Sequence, residues 1–462
     1  MGNKDKEQNV SMDMTTGSIP LKILKFSIPL MLAQILEVLF NMSDVAVVGK
    51  FSSYEALGAV GSTSLLVTLF TGFLIGMGCG VNVRVAQQLG AGQKENVRKT
   101  IHTSFLLCLL VGITACVLCI AGAEFFLSLM NTKPELISGA VLYFRIYALG
   151  MPAMAIYNFG NAVMSASGDT KKPLIYLSLA GVVNVCLNLI FVIGVGMAED
   201  GVAFASITAQ YISAALVVIN LLKRKETDSC RLRINELKLY PGVSKVILML
   251  GIPAGIQNAI FAMANLFIQT GVNSFSAVMV SGNAAAANAD TLIYNVMMAF
   301  YTACSSFMGQ NMGSHNKKRM LKSYLISMAY AFFAAAILGG LLIIFGRQFL
   351  SLFTSETEVI DAGMQRIMIM GFSYALSSFM DCTIAASRGL GKTIVPTIVV
   401  IIGSCVFRVA WVYTIFAYFH TIPSLFLLYP CSWVITAVAE IVYFTHCFRK
   451  LSFEGREEKI TV

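Results

Sequence analysis

Charge-poor apolar runs recur along the whole of this 462-residue chain, and each is long enough to cross a bilayer as a helix. Twelve are legible, at roughly 21–49, 57–82, 101–122, 138–165, 173–196, 200–222, 243–272, 284–307, 322–346, 361–386, 394–418 and 422–448. Lipid offers the backbone no hydrogen-bond partner, so a span must be a helix or part of a closed barrel, and runs of this length select the helix. The expected fold class is an all-α membrane protein with twelve transmembrane helices. Composition agrees: 12% of the residues are charged, against roughly 25% in soluble domains.

The chain also contains itself twice. Gln87-Gln88-Leu89-Gly90 precedes a basic run, and Gln310-Asn311-Met312-Gly313 precedes another. Ile28-Pro29 matches Ile252-Pro253, Arg145 matches Arg366, and Lys172-Pro173 faces Val395-Pro396, all at nearly the same offset. Six spans fall in each half, so both halves have the same orientation, and the repeat is expected to be parallel about an axis along the membrane normal. The expected parts are an N-terminal six-helix bundle with a short tail (1–222), a charged linker (223–242), a C-terminal bundle (243–448) and a C-terminal tail (449–462).

The formal net charge of +9 is a matter of topology rather than a nucleic-acid footprint, and no nucleic-acid partner is expected. With the N-terminus inside, the even-numbered loops and both tails carry most of the Lys and Arg, while the opposite loops carry Lys50, Lys133 and Arg347. That asymmetry places both termini in the cytoplasm. Residues 1–19 are polar and lack the apolar core of a cleaved signal peptide. Cys116 and Cys119 form the one tight cysteine pair, in an apolar span without a histidine cluster, and read as small buried residues.

Ionisable side chains inside lipid need a partner or a wet cavity. Glu37 and Asp44 in span one, Asp290 in span eight and Asp381 in span ten are such groups, with Glu440 in span twelve nearer the inner face. Arg145, Arg366 and Arg408 are the expected buried cations. Gln34, Glu37, Asn41 and Asp44 are spaced to line one helical face, which is expected to look inward and bind a cation or exchange a proton. Asn184 and Asn188 in span five offer neutral ligands to the same cavity. Gln257, Asn258 and Asn265 in span seven repeat the stripe without its acids. The expected ion-coupling set is Asp44, Glu37, Asn41, Asn184 and Asn188. The expected substrate cavity is Gln34, Gln257, Asn258, Asn265, Asp290 and Asp381, with Arg408 a candidate partner for Asp381. The 24 methionines and 31 phenylalanines suit adaptable binding of apolar cations, and equally suit contact with lipid.

No phosphate-binding GxxxxGK[ST] loop, HExxH pair or GxSxG elbow is present, so no enzyme is expected and any energy source is an ion gradient or a partner subunit. Rival readings are a flippase for a lipid-linked sugar on a related fold, an intramembrane enzyme, and a non-transporting receptor or scaffold. Deep acids rather than cations speak against the first. No catalytic constellation supports the second, and the duplicated topology disfavours the third.

Ile28-Pro29-Leu30, Asn41-Met42-Ser43-Asp44 and Val48-Gly49-Lys50 resemble the opening of the multidrug and toxic compound extrusion (MATE) transporters of the MOP superfamily. Gln87 to Gly92, Gln310 to Gly313, and Arg388-Gly389-Leu390-Gly391-Lys392 through Pro396 are similar to that family's repeated motifs. The resemblance runs from about residue 17 to 448. It implies two six-helix bundles in a V around a central cavity. It also implies export of organic cations, drugs or other amphipathic compounds against inward Na⁺ or H⁺, with no cofactor beyond a transient ion at Asp44. Asp44 matches the family's coupling aspartate, and Asp381 an acid of span ten in some members. One branch carries a second acid in span five where this chain has Asn188. Another carries a glutamate in span seven where this chain has Phe261 or a nearby apolar residue, so neither coupling set transfers whole. A monomer in the bacterial plasma membrane, taking a small-molecule substrate, is the expectation.

Overall fold

A computed structural model describes residues 12–453 except residue 131, and within these every regular element is helical. Residues 1–11 and 454–462, read above as parts of polar tails, lie outside the described residues. The spans are α1 (Ile19–Phe51), α2 (Tyr54–Gly90), α3 (Lys94–Leu129), α4 (Pro134–Ala148 with Met151–Ala166), α5 (Lys171–Gly194) and α6 (Glu199–Leu222). The second set is α7 (Pro241–Asn273), α8 (Ala277–Gly313), α9 (Lys317–Ser351), α10 (Thr357–Gly389), α11 (Ile394–Phe419) and α12 (Ile422–Arg449).

Ten of these are long and apolar enough to cross a membrane by composition, and α4 is an eleventh bent by 44°. That bend corrects the single run expected at 138–165: Pro152 lacks the N–H the ladder needs, and the chain turns at Leu149-Gly150. The twelfth, α8, is diluted by Ser281, Asn283, Asn288, Asp290 and Asn295, of which Asn283 is buried and Asp290 and Asn295 are half-buried.

Helix starts follow the duplication. Ser53 caps α2 by accepting from Ala56 N at 3.2 Å, and Ser276 caps α8 by accepting from Met279 N at 3.4 Å. Both α5 and α11 loosen to π-helical turns at matching places, Ile190–Gly194 and Val412–Phe416. Such turns often mark functional positions, and the first begins two residues after Asn188.

The repeated motifs meet each other. Gly90 lies against the Gln310 backbone, and Gly313 lies against the Gln87 backbone, both too close for a side-chain carbon. Gln87 Nε2 donates to the Gly389 carbonyl at 3.0 Å, and Gln310 Nε2 donates to the Ala166 carbonyl at 2.7 Å. Each motif thus ties to the end of a span in the opposite half, the reciprocal pattern of a twofold. Further in, Ser306 donates to Asn82 Oδ1 at 3.1 Å, and Gly76 and Gly80 of α2 rest on the Ala254–Gly255 and Gly251 backbones of α7. These cross-bundle contacts cluster at the end that carries the basic loops. Both ends of the described chain sit there too: Met14 N donates to Gln310 Oε1, and Lys317 Nζ donates to the Leu451 carbonyl at 2.7 Å.

The linker is folded down rather than free. Cys230 and Leu232 are buried, Arg233 N donates to His102 Nε2 at 3.0 Å, and Arg98 binds Glu236 at 2.5 Å. That arginine holds the Glu236 carboxyl below the usual carboxylate range.

Candidate ion and substrate site

Helix α1 belongs to both halves. Ile19, Ile23, Phe26 and Leu30 join a core cluster built mostly from α8, α9, α10 and α12, together with Met14. Val47 and Val48 join one built from α2, α4, α5 and α6. Pro29 lies near the end of the first of these stretches, where its missing N–H weakens the helical ladder. The polar stripe from Gln34 to Asp44 lies on the far side of that proline.

At the end of the stripe, Asp44 enters a cradle of neutral groups. Asn188 Nδ2 donates to Asp44 Oδ1 at 2.5 Å and Ser206 Oγ donates to Oδ2 at 3.0 Å. Asn188 Nδ2 also reaches Asn184 Oδ1 at 3.3 Å, and Asn184 Nδ2 reaches Ser206 Oγ at 3.5 Å. Asn184, Asn188 and Ser206 are buried, while Asp44 itself is half-buried. No cation pairs with Asp44 among the described residues. Asn188 Oδ1 is buried without a hydrogen-bond partner. The cradle therefore offers two carboxylate oxygens, two amide oxygens and a hydroxyl, which is an oxygen-rich environment of the kind a hard cation takes.

Tyr143 and Tyr147, stacked at 5.9 Å, stand within electrostatic reach of Asp44. Glu37 is exposed and makes no hydrogen bond or ion pair among the described residues, with Tyr147 and Tyr157 as neighbours. Asn41 is exposed and Gln34 half-buried, each likewise without a hydrogen bond there. An exposed carboxylate with tyrosines within electrostatic reach is fit to attract an organic cation.

The second half uses its acids differently. Asp290 is ion-paired with Arg366 and accepts from the Tyr374 hydroxyl. Arg366 also donates to Asn283 Oδ1 and lies 4.9 Å from the Phe426 ring centre. Arg366 is 6% exposed and Asp290 27%, so the pair is largely committed to itself. Removing one partner strands a buried charge. Asp290→Asn is therefore expected to destabilise the protein by about 3 kcal/mol, read as a lowered melting temperature in detergent. The exposed Arg347–Asp361 pair is the control, and Asp361→Asn should change stability by less than about 1 kcal/mol.

Asp381 is half-buried and forms no ion pair among the described residues; Arg388 and Arg408 are its charged neighbours. The suggested Asp381–Arg408 pairing is replaced: Arg408 Nε donates to Ser432 Oγ at 2.9 Å, and its guanidinium lies 4.8 Å from the Tyr429 ring centre. Gln257 accepts from Arg388 at 3.0 Å and Thr397 at 3.4 Å. Asn258 Nδ2 donates to the Gly72 carbonyl at 2.9 Å, across the bundle seam. Asn265 is exposed. Glu440 is fully buried with neither oxygen partnered. Arg145, expected to be buried, is exposed and donates to the Ile120 carbonyl. α2 carries no acid beyond Glu55, so Arg145 has no equivalent of Asp290 to pull it inward.

Sequence reasoning missed Ser206, Tyr143 and Tyr147. A serine in an apolar span is too common to stand out, and the tyrosines matter only through the proximity of α4 to α1.

The MatE family profile matches residues 29–215 and 253–414, most of the chain and both halves of the repeat. The probable multidrug resistance protein YpnP of Bacillus subtilis (strain 168) is 29% identical over 367 residues, covering 78% of this chain and 80% of that protein. The probable multidrug resistance protein NorM of Thermotoga maritima is 25% identical and covers 86% of each chain. A FAD transporter of Shewanella oneidensis is 23% identical over 76% of this chain and 78% of its own. In fold, the chain is similar to an outward-facing multidrug resistance MATE transporter of the MOP superfamily, with a TM-score of 0.88, 20% identity, and coverage of 96% of this chain and 99% of that one. A MOP superfamily transporter from Pyrococcus furiosus gives the same TM-score, identity and coverage. The protein belongs to the MATE family of multi-pass membrane transporters.

Proposed function

We propose that the chain is a cation-coupled antiporter, driven by Na⁺ or H⁺, that exports organic cations or other amphipathic compounds by alternating access. In this reading the bundles are 1–222 and 243–448, hinged by the linker 223–242, and the basic end faces the cytoplasm of a bacterial plasma membrane. The protein acts as a monomer. One observation carries the reading: Asp44 sits in a cradle of Asn188, Asn184 and Ser206 with no cation paired to it among the described residues. A carboxylate so placed is free to load an ion. Because α1 packs into both bundles, a change of charge at Asp44 acts on the helix that joins them. An ion shifts the balance of two states only through its different affinity for each, and opening one end exposes the cradle to that side alone. Glu37 supplies the acidic wall for the substrate, with the neutral amides of Asn41 and Gln34 on the same stripe. Asn265 and Asp381 are the polar groups the second bundle contributes to substrate binding in this reading, while Gln257, Asn258 and Asp290 hold helices together. The names of the multidrug relatives and the tyrosines beside both acids support a cationic substrate. The FAD transporter among the relatives favours a second reading, export of an anionic aromatic compound.

The test is the purified protein in sealed vesicles, given a sodium or a proton gradient and a panel of fluorescent cations alongside a flavin. Gradient-dependent movement of a cation is expected. Movement that ignores both gradients, or is confined to the flavin, would contradict the reading.

A further inference from the structure

The segment before α1 is bound far more firmly than a polar tail requires. Met14 is fully buried in the core cluster of the second bundle. Its N–H donates to Gln310 Oε1 at 3.0 Å, and its carbonyl accepts from Arg319 Nε at 2.9 Å and from Asn311 Nδ2 at 3.2 Å. Arg319 also donates to the carbonyls of Thr16 at 2.5 Å and Gly17 at 2.8 Å. Lys22 closes the loop onto the carbonyls of Asp13 and Thr16. Two residues before Met14, the segment changes bundles: Met12 lies directly on Gly168, at the turn between α4 and α5 of the first half. Gly168 has φ +83°, and any side chain there would strike the Met12 backbone.

The Gln310 amide joins three parts. It accepts from the strap, donates to Ala166 of the first bundle, and belongs to α8 of the second. Among the described residues, its counterpart Gln87 donates to Gly389 and accepts from no strap, and a side chain on Gly391, the counterpart of Gly168, would meet only Gln87. The linker before α7 is folded onto α3, as the strap is folded onto α9, but among the described residues only the strap also bonds the glutamine at the seam.

We propose that residues Met12–Gly17 form a latch that holds the basic ends of the two bundles together and must release before that end opens. Contacts with Arg319 and Asn311 stay within the second bundle and anchor the latch. The Met12–Gly168 and Gln310–Ala166 contacts cross the seam and exist only while that end is shut. A segment that binds one state and not the other shifts the balance toward it. The latch rests on the alternating-access reading above.

The experiment places spin labels at the exposed Lys171 and Lys392, one in each bundle near the seam, in a cysteine-free background reconstituted in lipid. The distance distribution is compared between the parent, Met14→Ala and Arg319→Gln, with Thr15→Ala as the control because, among the described residues, the Thr15 hydroxyl bonds within the strap to Asp13. Both latch variants should raise the long-distance population several-fold, and Thr15→Ala should leave it unchanged. Unchanged distributions in both variants, even with a lowered melting temperature, would overturn the latch. If Met14→Ala does not fold, Arg319→Gln decides alone, since its side chain is only half-buried. Efflux is assayed separately: shifted distances without efflux in any protein, parent included, would sink the transport reading and leave the latch standing.

Discussion

Asp44→Asn is expected to abolish gradient-driven efflux in sealed vesicles while the protein still inserts, folds and binds substrate. Asparagine fills the same space and still meets Asn188 and Ser206, so the cradle loses a charge rather than a shape. A neutral amide neither releases a proton nor draws a cation out of water, and coupling ends. The drop should reach the background of empty vesicles, with a melting temperature close to that of the parent. Ser206→Ala is the graded companion. It removes one hydrogen bond, worth roughly 1.5–3 kcal/mol to a charged acceptor, and should shift the ion concentration for half-maximal efflux without ending transport. Parent-level efflux from Asp44→Asn would remove the carboxylate from the mechanism.

Gly76→Val is expected to cripple transport from a position that touches neither ion nor substrate. A Cβ at Gly76 would stand 2.6 Å from the Ala254 carbonyl carbon, against backbone that cannot turn aside. The α2–α7 seam would have to part, at a cost of about 1–3 kcal/mol. A two-state balance then shifts by about 5- to 150-fold away from the form shut at the basic end. Vesicle efflux should fall by a comparable factor, with each bundle still folded. Gly61→Ala in the same helix is the control, because a Cβ there meets nothing. Equal losses from both substitutions would mean that α2 tolerates no added volume anywhere, and would sever the link between the seam and transport.

Much of this fold is legible in the chain because lipid permits few alternatives. Span length, the even number of runs and the paired motifs lead to two parallel six-helix halves. Asp44, Asn184 and Asn188 stand out as polar residues at helical spacing in apolar runs. What the sequence hides is pairing across long separations. Asp290 and Asp381 look alike as isolated acids in helices, yet one is claimed by Arg366 and Tyr374 and the other has no ion-pair partner among the described residues. Arg145 and Arg366 occupy matching places and meet opposite fates, decided by Asp290 in α8, whose equivalent is missing from α2. Gln257 and Asn258 belong to a polar stripe by spacing, but the bundle seam and Arg388 use up their hydrogen bonds. The strap reads as a polar tail because its anchors are Gln310, Asn311 and Arg319, far along the chain.

The most direct measurement is ion release on substrate binding by purified protein in detergent, where no gradient or vesicle intervenes. A fluorescent cation is titrated in weak buffer while pH and sodium are recorded together. The expected result is one class of ion released as substrate binds, with the release lost in Asp44→Asn although substrate still binds. The same release from parent and variant would contradict the assignment of the coupling ion to Asp44.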